Sequence, residues 1–317
     1  MSFRFKQSLA IGRNTALVSL GTPFSLILQL MLLACGLLLA CLPFFSFGEH
    51  LRLIRDQSLA LCLIAGCLGS AFGASQAITE DIREGAAAIM MSRPVSSLAY
   101  IVGKWWGLYA GVLLIQVTAT GACLWLTAIT SNENHLDTIG LALYGAAVIG
   151  SLALVGIKQY VFGGTFVWSA NVTLAATFLL TFLLSVSLRT AGTVDWKTAQ
   201  ASLMIVFALA IFSSLAVLAA VLFDTGMLLG ACVLLFFGGL LSDSFLTVAL
   251  PSGWALAAGR ALLPNWQLFW ISDRLAEGKT VPTATLAHSA IHAGLYTTLA
   301  LLAAARAFGR RELEVQA

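Results

Sequence analysis

Eight stretches of this chain run for about the thickness of a membrane without a single charged side chain. They are Pro23–Phe47, Gln57–Ile78, Trp105–Thr130, Thr138–Ile157, Ser169–Leu188, Ala201–Phe223, Thr225–Ser242 and Thr285–Ala305. A helix needs about 20 apolar residues to cross the hydrocarbon core. Runs of this length recurring from end to end leave no polar surface with which to solvate a globule. Hydrophobic residues are 59% and charged residues 10% of the chain, against about 45–50% and 25% in a soluble domain. The expected fold class is therefore an all-α integral membrane protein, one transmembrane unit over residues 1–317. A soluble enzyme is excluded, and so is a disordered chain, which needs low hydrophobicity and high charge. Barrel strands are alternating segments of about ten residues, unlike these unbroken runs. A formal net charge of +3 suggests no nucleic-acid surface.

Basic residues mark the membrane face. Arg4, Lys6 and Arg13 precede the first run, and Arg306, Arg310 and Arg311 follow the last. Lys and Arg collect in cytoplasmic segments, so both termini are expected inside, and the loop with Arg83, Arg93 and Lys104 with them. On eight spans, ten basic residues fall inside and seven outside. Six spans, with residues 138–188 merged or lifted out, fit almost equally well. No cleavable signal sequence is expected, because the polar, amphipathic start differs from an apolar leader.

Three segments are not plain spans. Residues 1–22 interleave Phe3, Phe5, Leu9, Ile11 and Leu17 with Arg4, Lys6 and Arg13, which favours an amphipathic interfacial helix over a frayed basic tail. The loop 79–94 reads as a cytoplasmic docking helix. Thr79 is expected to cap it, with Glu80 and Asp81 in a first turn where the helix dipole favours acids. Arg83 and Glu84 come next, Gly85 loosens it, Ala86–Met91 (with Ile89, Met90 and Met91) offers an adaptable apolar surface, and Arg93 before Pro94 ends it. Residues 249–283 read as an outer re-entrant or interfacial hairpin: one short helix from Pro251 to Leu263, a second over Trp266–Glu277 capped by Asn265, and Trp254, Trp266, Phe269 and Trp270 in the aromatic belt. Two small-residue stripes of period four, Gly69–Gly73–Ala77 and Gly103–Gly107–Gly111, are expected to pack the second and third spans together as a rigid pair.

Catalytic chemistry is hard to find. Gly278, Lys279 and Thr280 end like a phosphate loop, but Asp273 stands where the opening glycine belongs. His288 and His292 share a helix face without a nearby third ligand, and read as interfacial polar residues. Asn171 begins an acceptor tripeptide inside an apolar run, which reads as chance. Cys35, Cys41, Cys62, Cys67, Cys123 and Cys232 all lie in apolar runs and read as small hydrophobes. No catalytic, metal or cofactor residues are assigned. No acid lies at mid-span, so no proton path is visible, and the chain is expected to draw its energy from a partner.

The run Thr79, Glu80, Asp81, Ile82, Arg83, Glu84 and Gly85, followed by Ser92, Arg93, Pro94, Tyr100, Gly103 and Lys104, resembles the permease subunits of ABC-2 type exporters. The late stretch Leu262–Phe269 with Asp273, Glu277 and Gly278 is similar to the outer region before the last helix of bacterial members. The resemblance implies a type V exporter-like helical bundle: an N-terminal elbow helix, a six-span core, a coupling helix between spans two and three, and a re-entrant hairpin. It departs at 138–188, where two further spans are read. By this resemblance Glu80 to Arg93 match the coupling segment, and Glu84 and Gly85 its acid–glycine step. It further implies a bacterial cytoplasmic membrane location, a second permease (a copy or a paralogue) and two cytoplasmic ABC ATPase subunits that hold Mg-ATP. Competing readings are an ion-coupled secondary transporter or channel, which should show repeats or broken helices, an intramembrane enzyme, and an ABC membrane subunit that transmits force without transporting.

Overall fold

The computed structural model describes residues 2–41, 50–85, 95–130, 138–188, 196–249, 264–272, 274 and 282–315. Among these residues the regular structure is entirely helical. Helix α1 is Ser2–Gly21 and α2 Pro23–Cys41. Helix α3, His50–Ala74, continues without a break through a π-helical turn, Ser75–Thr79, into a last turn, Glu80–Arg83. Then come α4 (Ser97–Thr130), α5 (Thr138–Phe162), α6 (Phe166–Leu188), α7 (Trp196–Leu222), α8 (Thr225–Ala249) and α9 (Thr283–Val315), with a 3-10 turn at Trp266–Leu268. Among the described residues seven helices are long and apolar enough to cross a membrane, and α6 adds a shorter apolar stretch, Phe166–Thr181. The chain is a multi-pass helical membrane protein.

The apolar runs set where helices form, but the helices outrun them. Helix α3 begins seven residues before Gln57, so Arg52, Arg55 and Asp56 are helical. Helix α4 begins eight before Trp105. Ser96 accepts the Ala99 backbone N–H (3.3 Å) and so caps it. Helix α5 carries Lys158 on to Phe162, leaving only Gly163, Gly164 and Thr165 as connection. Both glycines have left-handed φ (+71° and +115°), which a side chain would resist. Phe223 and Asp224 make the tight turn between α7 and α8, and Asp224 accepts the Leu228 N–H (2.8 Å).

Helices α3, α4 and α7 pack on one another, and α9 closes against α7 and α4. Helices α1 and α2 run end to end along α4. Gly12 lies against Gly103, while Gly36 lies against Leu126. Gln29 donates to the Thr118 hydroxyl (2.5 Å). Pro23 opens α2, where its missing N–H costs nothing. Asn171 of α6 ties the joint, donating to the Leu20 carbonyl and the Ser25 hydroxyl (both 2.8 Å). Its side chain is buried, and such inter-helix polar contacts hold spans where no hydrophobic force does.

The α5–α6 hairpin sits on α4 through an aromatic cluster of Trp125, Tyr144 and Phe178. Outward it shows Ile139, Ile149, Leu154 and Phe162, an apolar surface unsuited to water. With α2, α3, α4 and α5 all crossing, cysteines placed at Thr165 and at Ser2, each in a cysteine-depleted background, are expected to react with a membrane-impermeant maleimide from the same face. Labelling of the two from opposite faces would leave the six-span arrangement.

The outer segment differs from expectation. Residues 250–263 and 275–281, with Trp254, lie outside the described residues. Asn265 does cap, accepting the Gln267 N–H (2.9 Å), but the element it caps is the single 3-10 turn Trp266–Leu268. Trp266 and Phe269 are buried in the bundle instead of facing the interface. The Trp266 indole donates to the Phe236 carbonyl (3.1 Å) and its ring lies on Gly239. The Ser272 hydroxyl donates to Asp56, pinning this segment to the start of α3.

Candidate functional site at the base of α3 and α4

Helix α3 does not restart at Thr79. No Gly or Pro interrupts Ser75–Ile78, so the helix has no cause to stop, and Thr79 keeps helical torsions without capping anything of its own. The π turn inserts one residue, which rotates the last turn of the helix by about 100°. Its side chains reach the next helices instead. Ser75 donates to the Thr225 hydroxyl (3.2 Å). Thr79 donates to the Ala220 carbonyl (3.3 Å), near the end of α7, where helix carbonyls lack partners. The cap expected for the loop is therefore a bond to a neighbouring helix.

In the last turn, Glu80, Arg83 and Glu84 are turned outward and Asp81 inward. The Lys104 ammonium lies 2.5 Å from the Asp81 carboxylate, and the Tyr100 hydroxyl donates to the same oxygen at 2.9 Å. Lys104 is only 5% exposed and sits 5.6 Å from the centre of the Tyr100 ring. Tyr100 stacks in turn on Phe308 of α9 (5.1 Å). A buried ammonium needs a counter-charge, so Asp81 serves as an anchor and not as a dipole-favoured acid of a new helix. A cavity of about 60 Å³ opens beside the pair, between Asn14, Ser19 and Gln76, with room for water.

Gly85 ends the helix. Its N–H donates to the Ile82 carbonyl (3.2 Å) and its φ is +73°, the left-handed stop that glycine supplies most cheaply. It terminates a turn, where the sequence suggests a loosened mid-helix. Ile89, Met90, Met91 and Arg93 lie outside the described residues. The chain leaves the described residues at Gly85, four residues after Asp81, and re-enters at Val95, nine residues before Lys104.

The glycine stripes divide their partners. Those of α3 do face α4: a Cβ on Gly73 would come 2.8 Å from Leu108, and one on Gly69 3.5 Å from Ile115. Those of α4 face α1. A Cβ on Gly103 would come 2.8 Å from the Ser8 carbonyl, and one on Gly111 3.3 Å from the Ser19 hydroxyl. At Gly107 it would overlap the Gly12 carbonyl and come 2.6 Å from Thr15. The close packing thus involves three helices, α1, α3 and α4, with α4 in the middle.

Among the described residues no three of His, Cys, Asp and Glu come together as a metal site. His292 lies beside Phe269 (6.3 Å) and Tyr296 (6.1 Å). The Asp81–Lys104 pair ties the last turn of α3 to the second turn of α4, the two helices between which residues 86–94 run. No protein family, no curated protein and no solved structure matches this chain.

Proposed function

We propose that this chain is the membrane-spanning subunit of an ATP-binding-cassette exporter of the ABC-2 type, with both termini cytoplasmic. A separate cytoplasmic ATPase, present in two copies and holding Mg-ATP, would grip the loop 86–94, and a second permease would complete the assembly. The observation that carries this reading is the Asp81–Lys104 pair. It joins the two helices that flank the loop to each other and, through Tyr100 and Phe308, to α9. A push on the loop then reaches α1, α3 and α4 as one body, which suits a subunit that converts closure of a partner into helix movement.

The test is Met90→Asp. The residue lies in the loop and outside the apolar spans, so the variant still inserts. A buried apolar anchor is worth about 2 kcal/mol or more, hence more than tenfold in affinity, and an unpaired charge adds to the loss. Capture of an ATPase carrying a phosphate loop, and its turnover in the complex, are both expected to fall at least tenfold. Unchanged capture together with unchanged coupling would remove the loop from the mechanism.

A further inference from the structure

Helices α1 and α2 keep one course along α4 across the break between them. Gly12 lies against Gly103, Thr15 against Gly107, Ser19 against Gly111 and Gly36 against Leu126, and Gln29 bonds to Thr118. The partners advance in step, so the two helices run parallel to α4 as a single interrupted rod. Their height can be read from α4. Its charge-free run begins at Trp105, and Gly111, level with Ser19, stands about 9 Å further along at 1.5 Å per residue. The break at residues 21–23 therefore lies well past the start of that run, where a helix lying flat in the interface would not place it.

We propose that α1 and α2 form one interrupted membrane-crossing element, and that a file of water runs beside α1 from the Asp81–Lys104 pair to the break. Two independent observations carry this. The first is the break. Non-helical backbone at membrane depth persists only where protein buries it or water lines it. Protein meets part of the need: Asn171 donates to the Leu20 carbonyl, the Thr22 hydroxyl to the Ser19 carbonyl (2.8 Å) and the Ser25 hydroxyl to the Thr22 carbonyl (2.8 Å). The second is a pair of cavities between α1, α3 and α4, of about 60 and 10 Å³, which share Ser19, Gly73 and Gln76 in their walls. The wider one reaches Asp81 and Lys104, with exposed Asn14 at its edge, and the narrower one reaches Thr22 and Ser25 at the break. One water needs about 10–15 Å³ and two to four polar partners. Such partners line both spaces. Lys104 and Tyr100 contact the same oxygen of Asp81, which leaves the other carboxylate oxygen for the cavity. An ammonium carries three protons to place. The Gln76 amide stands in both walls and takes no protein partner among the described residues. An apolar occupant would leave these groups unpaired at a cost, so water is the ligand that the walls fit.

The experiment is thiol reactivity of the full chain, cysteine-depleted and reconstituted in liposomes. 2-Aminoethyl methanethiosulfonate reacts with a thiolate, which forms in water and is suppressed in apolar surroundings. Ser19→Cys and Gln76→Cys each place a thiol in the recess. Leu17→Cys is the control. It stands about 3 Å from Ser19 in height, on the outward side of α1, where Leu17 is exposed. The recess thiols are expected to react at least about tenfold faster than the control, because desolvation raises the pKa of a thiol by a unit or more. Equal rates at positions 17 and 19 would place α1 in water and overturn the proposal. So would thiols at 19 and 76 that both stay unreactive, since the recess would then be dry.

Discussion

Gly107→Leu is expected to detach the N-terminal helix from the bundle. At this position the α1 and α4 backbones are close enough that a Cβ would overlap the Gly12 carbonyl and come 2.9 Å from the Ala16 nitrogen. Neither is the end of a flexible side chain, so nothing can swing aside and the two helices must separate. Overpacking of this kind costs about 1–3 kcal/mol when side chains can adjust, and more when they cannot. Separation also forfeits the contacts of Gly103, Gly111 and Thr15 on the same seam. Gly→Ala in an open helix interior should instead gain about 1 kcal/mol from backbone entropy, and Gly145 and Gly150 of α5 provide that comparison, since nothing lies within 4 Å of either. Thermal unfolding in detergent should show Gly107→Leu lowered by many degrees and Gly145→Ala unchanged or raised. A Gly107→Leu protein as stable as wild type, with α1 still protected from proteolysis, would mean that the seam does not hold the helix.

The second large effect is expected at Asp81. Asp81→Ala leaves the Lys104 ammonium buried beside a ring and without its carboxylate. Breaking one partner of a buried pair costs about 3–5 kcal/mol, whereas removing both is often neutral. Asp81→Ala should therefore destabilise strongly, and Asp81→Ala with Lys104→Met should recover most of the loss. The recovery separates a charge effect from a packing effect: if the double variant is as unstable as the single one, the pair is incidental to stability. Asp81 is partly solvated, with 23% of its side chain exposed, so the lower end of that range is expected.

The helices are legible in the sequence because an unbroken apolar run admits few alternatives in lipid. Their partners are not. A stripe such as Gly103–Gly107–Gly111 states that some backbone approaches closely, and says nothing about which one. Ser2–Gly21 reads as an amphipathic helix for the interface, yet Gly12, in its middle, is what seats it on α4. Thr79 followed by two acids has the local signature of a helix start. That signature fails when the preceding helix lacks a breaker, because the cap competes with a helix that already exists. Asp81 and Lys104 lie 23 residues apart, and sequence offers no way to see that a π turn aims one at the other. Composition places Trp266 in the aromatic belt. Two adjacent glycines at 238 and 239 are the signal that a large ring could lie against α8 instead.

The seating of α1 on α4 has a consequence for the order of manufacture. The N-terminal helix is made first, but its seat at Gly103–Gly111 leaves the ribosome some 90 residues later, about 5–20 s at ordinary elongation rates. During that interval α2 and α3 can insert while α1, with Lys6 and Arg13, has no groove to enter. Its final position must be reached from the side, after α4 is in the membrane, by a helix that has been waiting at the surface. A pause or slow codon between residues 21 and 103 would lengthen the wait, and a bulky fusion at the N-terminus would obstruct the last step without touching any span.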